Sequence, residues 1–356
     1  MRNTFKYLCG TLLAMLFFSK VSVTEAHVLS NADEWLIGNE FIKKYESKYE
    51  TYNSTKLNKI KENLIKFNKF QNDHSQRKLQ SINMTSEDTL NAFEIPGGWI
   101  YVSEQMIDFT EGGDDNSILA FVVAHEVSHH INEDYLRKYD KKYNTNFFFS
   151  LLGSQLKGYD VIYANAAQEL ITTLNSRQMN FRTEQQADET GFKLLLNTPG
   201  YSPGGGAVFF SRLISYEKEV GSKEDSFVYP HSKSEVRLKR VVEEINKISN
   251  GRVVIKDNKL WLDGKLITKT GVIKPLPSEN LTALEKTYLI AGNIAKAIYR
   301  GEWFDGNVLA YVNEEKQEIE VKAGNVAIGK VNMILEWNEL SDCFKDSFNN
   351  SNKVKN

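Results

Sequence analysis

Cysteine is almost absent from this chain: among 356 residues only Cys9 and Cys343 carry a thiol. If an N-terminal leader containing Cys9 is removed, Cys343 stands alone and an intramolecular disulfide is excluded. The fold must then rest on its hydrophobic core and on any metal it binds. A charge of one sign is missing too. Lys and Arg number 44 against 46 Asp and Glu, a net charge of -2. This removes any global attraction to nucleic acid or to an anionic membrane. A mean hydropathy of -0.42, with no apolar run long enough to span a bilayer comfortably, argues against an integral membrane protein and leaves at most peripheral membrane contact. No internal repeat is visible. Histidine is scarce as well, with six in the chain, so a pair at a chemically meaningful spacing carries weight.

Arg2 and Lys6 precede an apolar run from Tyr7 to Phe18, and a polar stretch then ends in Thr24-Glu25-Ala26. Basic, apolar and small-residue regions in that order predict a secretory signal peptide over residues 1–26 and an exported, periplasmic or secreted, mature chain. From Asn31 to about Lys69, apolar residues recur at helical spacing and predict two helices joined near Asn53-Ser54. Pro96-Gly97-Gly98 is a turn signal, and the β-formers Trp99, Ile100, Tyr101 and Val102 after it predict a short strand. Ser117 to Tyr139 reads as a helix with Leu119, Val122, Val123, Val127 and Ile131 on an apolar stripe. Further helices are expected over Asn175–Asn197, around Val208–Val220 and after Ser234, with Pro199-Gly200 stopping the first. The aromatic-rich segment Phe147–Tyr163 is expected to cover the cleft. Beyond about Ser249, short β-rich runs separated by Lys-Asp-Asn and Asp-Gly turns predict a hairpin array. A helix over Ala283–Tyr299 follows, then more strands near Val308–Val312 and Ile319–Val321. Residues 250–356 read as a separate α+β unit with a disordered tail after Phe348.

His125-Glu126-Val127-Ser128-His129 is the segment that carries chemistry. Positions four apart share a helix face, so both imidazoles reach one metal ion, and Glu126 beside them is placed to polarise water there. Zinc suits imidazole and carboxylate ligands and accepts an open fourth position, but a catalytic site needs a third protein ligand. Glu184, in Glu184-Gln185-Gln186-Ala187-Asp188, is the choice. Glu133, on the same helix as the histidines, is the rival. Asp188, one turn beyond Glu184, is placed to accept a hydrogen bond from a ligating imidazole. His231, in Tyr229-Pro230-His231-Ser232, stands six residues before Arg237 and is placed to stabilise an oxyanion. His130 reads as structural, and His27 and His74 carry no site of their own.

These motifs resemble the zinc metallopeptidases of the HtpX and CaaX-prenyl-protease type, in particular their soluble, exported, BepA-like branch. Asn91 to Val102 resembles the family's Asn-Ala-Phe-Ala-x-Pro-Gly-Gly strand, and Ala124 to His129 its zinc helix. Glu184 to Asp188 resembles its Glu-x-Glu-Ala-Asp motif. Gly200 to Pro203 and His231 to Arg237 resemble its later turn and His-Pro loop. The similarity covers about residues 32 to 245. The resemblance implies an α+β, mainly α, gluzincin-type peptidase domain over residues 27–249. It implies that His125, His129 and Glu184 bind one Zn2+ per chain, that Glu126 activates the zinc-bound water, and that His231 lies at the active site. It also implies that a substrate peptide adds to a short edge strand, here Trp99–Val102. Unfolded or misassembled envelope proteins are the expected substrates. The chain departs from the pattern at Ser232 (a proline in the family), at Glu133-Asp134 (an Arg-His pair) and at Gln186 (a Glu). Residues 250–356 do not read as the helical repeats of BepA-like proteins. These departures keep open a second reading, a zinc-stabilised binding or chaperone-like protein with little hydrolysis.

Overall fold

A computed structural model describes residues 31–70, 77–113, 115–135, 137, 181–220, 234–333 and 336–354. The predicted signal peptide, His27, His74, the Phe147–Tyr163 segment and His231 lie outside the described residues.

The chain opens with helix α1 (Asn31–Glu46), strand β1 (Thr51–Asn53) and helix α2 (Thr55–Asn68). Ser54 caps α2 by accepting the Leu57 backbone N–H, the role expected of a serine just before a helix. Strands β2 (Ser81–Thr85), β3 (Ala92–Ile95) and β4 (Trp99–Ser103) join β1 in a four-stranded sheet of order β1-β2-β4-β3. The β3–β4 turn depends on its glycines. Gly97 and Gly98 have φ of 93° and 94°, where side-chain-bearing residues are strained. A Cβ on Gly98 would also sit 2.2 Å from the Lys78 carbonyl oxygen.

The sheet corrects one expectation. Trp99–Val102 lies in β4, which is hydrogen-bonded on one side to β2 in parallel and on the other to β3 in antiparallel register. It is an interior strand with no free edge, so no peptide can add to it. The hairpin turn folds β3 back along β4, and β3 becomes the edge.

Helices α3 (Glu104–Phe109), α4 (Ser117–Ile131), α5 (Phe181–Asn197), α6 (Gly205–Val220) and α7 (Ser234–Ile248) follow. Every residue of α4 from Ser117 to His130 is buried. The sequence pattern predicts a stripe, but α4 packs against α5, α6 and β3, and such a central helix is apolar on all sides. The helix ends eight residues earlier than expected, where Glu133 takes a left-handed conformation with φ of 57°.

The hairpin array is present as β5 (Val253–Lys256), β6 (Lys259–Leu262) and β7 (Lys265–Leu266). Helix α8 (Ala283–Tyr299) starts at a complete capping box of Thr282 and Glu285. A three-stranded sheet of order β10-β9-β8 comes from β8 (Val308–Asn313), β9 (Glu318–Ala323) and β10 (Val326–Asn332). Helix α9 (Trp337–Val354) runs through the stretch expected to be a disordered tail.

The division at residue 250 does not correspond to a break in the core. One hydrophobic cluster runs from Leu57 of α2 through α4, α5 and α6 to Ile294 of α8 and Phe344 of α9. Helix α8 packs on α6 and α7. The buried Lys296 ammonium donates to the carbonyls of Leu195, Thr198 and Tyr201 at 2.7, 2.6 and 2.9 Å. It thereby closes the C-terminal end of α5, whose last carbonyls have no helical partner. Turn residues that mark a boundary in sequence here mark only a change from helices to hairpins.

Candidate metal centre

Helices α4 and α5 approach backbone to backbone at Gly191, where a Cβ would lie 3.1 Å from the His125 nitrogen. The glycine is what lets the acidic face of α5 reach α4. Glu184, Asp188 and Gly191 recur at helical spacing on α5 and all are buried, so that face is turned toward His125 and not toward solvent.

The contact brings three side chains to one point. His125 Nε2 lies 3.1 Å from His129 Nε2 and 3.3 Å from Glu184 Oε2, and His129 Nε2 lies 3.7 Å from Glu184 Oε1. Each of the three residues is 1% exposed. Donor atoms held about 2.0–2.2 Å from one tetrahedral centre stand roughly 3.3–3.6 Å apart, so the spacing fits a single zinc-sized ion with the fourth position left for a reactant. The electrostatics fit as well. Burial disfavours a charged His125 ring, yet Asp188 and Glu184 overcome it and push its pKa up to about 10. The site draws positive charge.

Both imidazoles are oriented from behind. His125 Nδ1 meets Asp188 Oδ1 at 2.9 Å and His129 Nδ1 meets Asp134 Oδ2 at 2.8 Å. With a carboxylate at each Nδ1, the proton resides there and the Nε2 lone pairs face the common point. Asp188 is gripped in turn by Arg237, whose Nε and Nη2 donate at 2.7 and 2.5 Å. Burial raises the Asp188 pKa, but Arg237 and His125 outweigh it and hold the carboxyl below its ordinary value. The Arg237 guanidinium also lies over the Phe210 ring at 4.4 Å. Glu126, 1% exposed, accepts a 3.1 Å hydrogen bond from the Glu94 backbone N–H. Because Phe93 and Ile95 flank it in the antiparallel pairing with β4, Glu94 directs this N–H to the side of β3 away from β4, with which no strand pairs among the described residues.

The structure thus brings together His125, Glu126, His129, Glu184, Asp188 and Arg237. It does not bring in Trp99–Val102. Glu133 is turned away, with Oε1 3.0 Å from Arg77 Nη1, so it is no rival ligand. His231 lies outside the described residues.

The same stretch of chain matches a peptidase family model over residues 52–245. The chain belongs to peptidase family M48. Members of this family are zinc-dependent metallopeptidases of the HExxH type, and the matched region of this M48 chain runs from β1 into α7, holding the whole cluster. No curated protein matches the chain.

Sequence reasoning missed Asp134 as a partner of His129 in this M48 site. On a continuous helix a residue five positions on lies on a different face. The left-handed Glu133 breaks that geometry and returns Asp134 to the ring. Asp134→Ala is expected to weaken Zn2+ affinity about 10- to 100-fold, the usual effect of losing a carboxylate behind a ligating histidine. Competition with a chromophoric chelator measures it. Unchanged affinity would mean that packing alone orients His129.

Proposed function

We propose that this M48 chain is an exported zinc endopeptidase that cleaves unfolded or misassembled envelope proteins. One observation carries the chemical part: three buried donor atoms at tetrahedral spacing, each imidazole backed by a carboxylate, with Glu126 beside them. The signal-like N-terminus supports export. Among the described residues no helix is long and apolar enough to cross a membrane.

Zinc, when held by His125, His129 and Glu184, supplies the Lewis acidity that lowers the pKa of water and polarises a carbonyl. Glu126 acts as the general base: it takes the proton of the attacking water and then carries it to the departing amine. The Glu94 N–H fixes the carboxylate orientation. Asp188 and Asp134 hold the two rings, Arg237 balances the charge of Asp188, and His231 is assigned to oxyanion stabilisation. The free edge of β3, alongside Glu126, is where an extended substrate peptide adds to the sheet.

The test is cleavage of casein by the purified chain before and after chelation, with metal content measured in parallel. Cleavage should disappear with the metal and return when Zn2+ alone is restored. Tightly bound zinc with no cleavage of any unfolded protein would overturn the peptidase reading and favour a zinc-stabilised binding protein.

A further inference from the structure

A second cluster lies where β3, the strand whose Glu94 N–H holds Glu126, meets α1 and α4. Glu34 of α1, Glu94 of β3 and His130 of α4 are 2%, 1% and 4% exposed. One ligand-type atom of each lies within 4.8 Å of the others. His130 Nδ1 stands 3.3 Å from Glu94 Oε1. None of the three belongs to the metal centre described above.

Two buried carboxylates need positive charge or a proton. Arg77 provides one guanidinium, 2.6 Å from Glu34 Oε1, but the same group also reaches Glu133 at 3.0 Å. Its charge is shared between Glu34 and Glu133, and Glu94 feels it only at longer range. The cluster also holds polar atoms that the protein leaves unmatched. Glu94 Oε2 and His130 Nε2 are buried with no hydrogen-bond partner among the described residues. A buried group in that condition is costly, more so when charged, and native interiors hold few such groups. Carboxylate oxygens and an imidazole nitrogen together make a donor set for a borderline divalent cation.

We propose that Glu34, Glu94 and His130 form a second divalent-cation site, separate from the His125, His129 and Glu184 centre. A cation there neutralises the two carboxylates, takes one ligand atom from each of the three residues and ties α1 and α4 to β3. Since the backbone of Glu94 holds Glu126, this site fixes the strand that positions the base. Its role is to position and not to react.

The test titrates chelator-stripped full chain with Zn2+ alone and measures retained metal after desalting. Wild type should take up a second equivalent beyond the first. His125→Gln with His129→Gln should remove one equivalent and keep the other. His130→Gln or Glu34→Gln in the wild-type background should remove the equivalent that the double variant keeps. A Zn2+-induced rise in melting temperature should persist in the His125/His129 variant and vanish when His130→Gln is added. Glu34 sits on the peripheral helix α1, so its variant reports on the site even if His130→Gln fails to fold. A single equivalent, lost with His125 and His129 and untouched by His130→Gln and Glu34→Gln, would overturn the inference. Loss of metal in His130→Gln and Glu34→Gln, with full metal in the His125/His129 variant, would leave this site standing and sink the first centre instead.

Discussion

Glu126→Gln is expected to lower kcat/KM for peptide hydrolysis about 10²- to 10⁴-fold, the span that general acid–base catalysis contributes, while metal content stays at the wild-type level. The reasoning separates two roles. Glutamine keeps the shape of the side chain, and its carbonyl oxygen still accepts the Glu94 N–H that the carboxylate accepts at 3.1 Å. What it cannot do is take a proton at neutral pH. His125, His129 and Glu184 are unchanged, so the ion has its full ligand set. The measurement pairs initial rates on a quenched peptide with metal analysis of the same preparation. Loss of rate with metal retained assigns proton transfer to Glu126. Equal rates with equal metal would remove Glu126 from the chemistry and with it the proposed mechanism.

How much of this site is legible in the sequence depends on how local each relationship is. The two histidines four apart on one helix are readable because helix periodicity alone places them together. Glu184 and Asp188 are readable as a pair for the same reason. Their distance from His125 is not, since it rests on the tertiary contact that Gly191 allows. Asp134 is hidden because a single left-handed residue resets the helix phase. Trp99–Val102 is correctly a strand, but its position in the sheet depends on pairing with β2, some 18 residues earlier, and β propensity says nothing about which strand ends at an edge. Helix α8 is legible in its bounds. Its place against α6 and α7 is not, because turns and glycines mark changes of local structure and not the limits of a core. The Glu34, Glu94 and His130 cluster joins three separate elements, and no spacing in the sequence announces it.

Arg237→Met is expected to destabilise the fold by about 3–5 kcal/mol, the cost of removing one partner from a buried ion pair. Arg237 is 1% exposed. It donates twice to Asp188, and its Nη1 lies 3.4 Å from Glu184 Oε2. Methionine fills much of the same volume over Phe210 and leaves the aromatic contact partly intact, so the loss reports on charge and not on a cavity. Two buried carboxylates then face each other across His125 without the guanidinium. Lysine should rescue little, because a point charge cannot make the two parallel bonds of a guanidinium. Denaturant midpoints at fixed pH in the chelated protein measure the change without contribution from bound metal. The decisive comparison is the cycle with Asp188→Asn. If the ion pair is the unit, the double variant should lose less than the sum of the single losses, since Asp188→Asn removes the carboxylate that Arg237→Met would leave without its bidentate partner. Additive losses would mean that Arg237 stabilises the fold through Phe210 and the packing of α7, with Asp188 held in place by His125 alone.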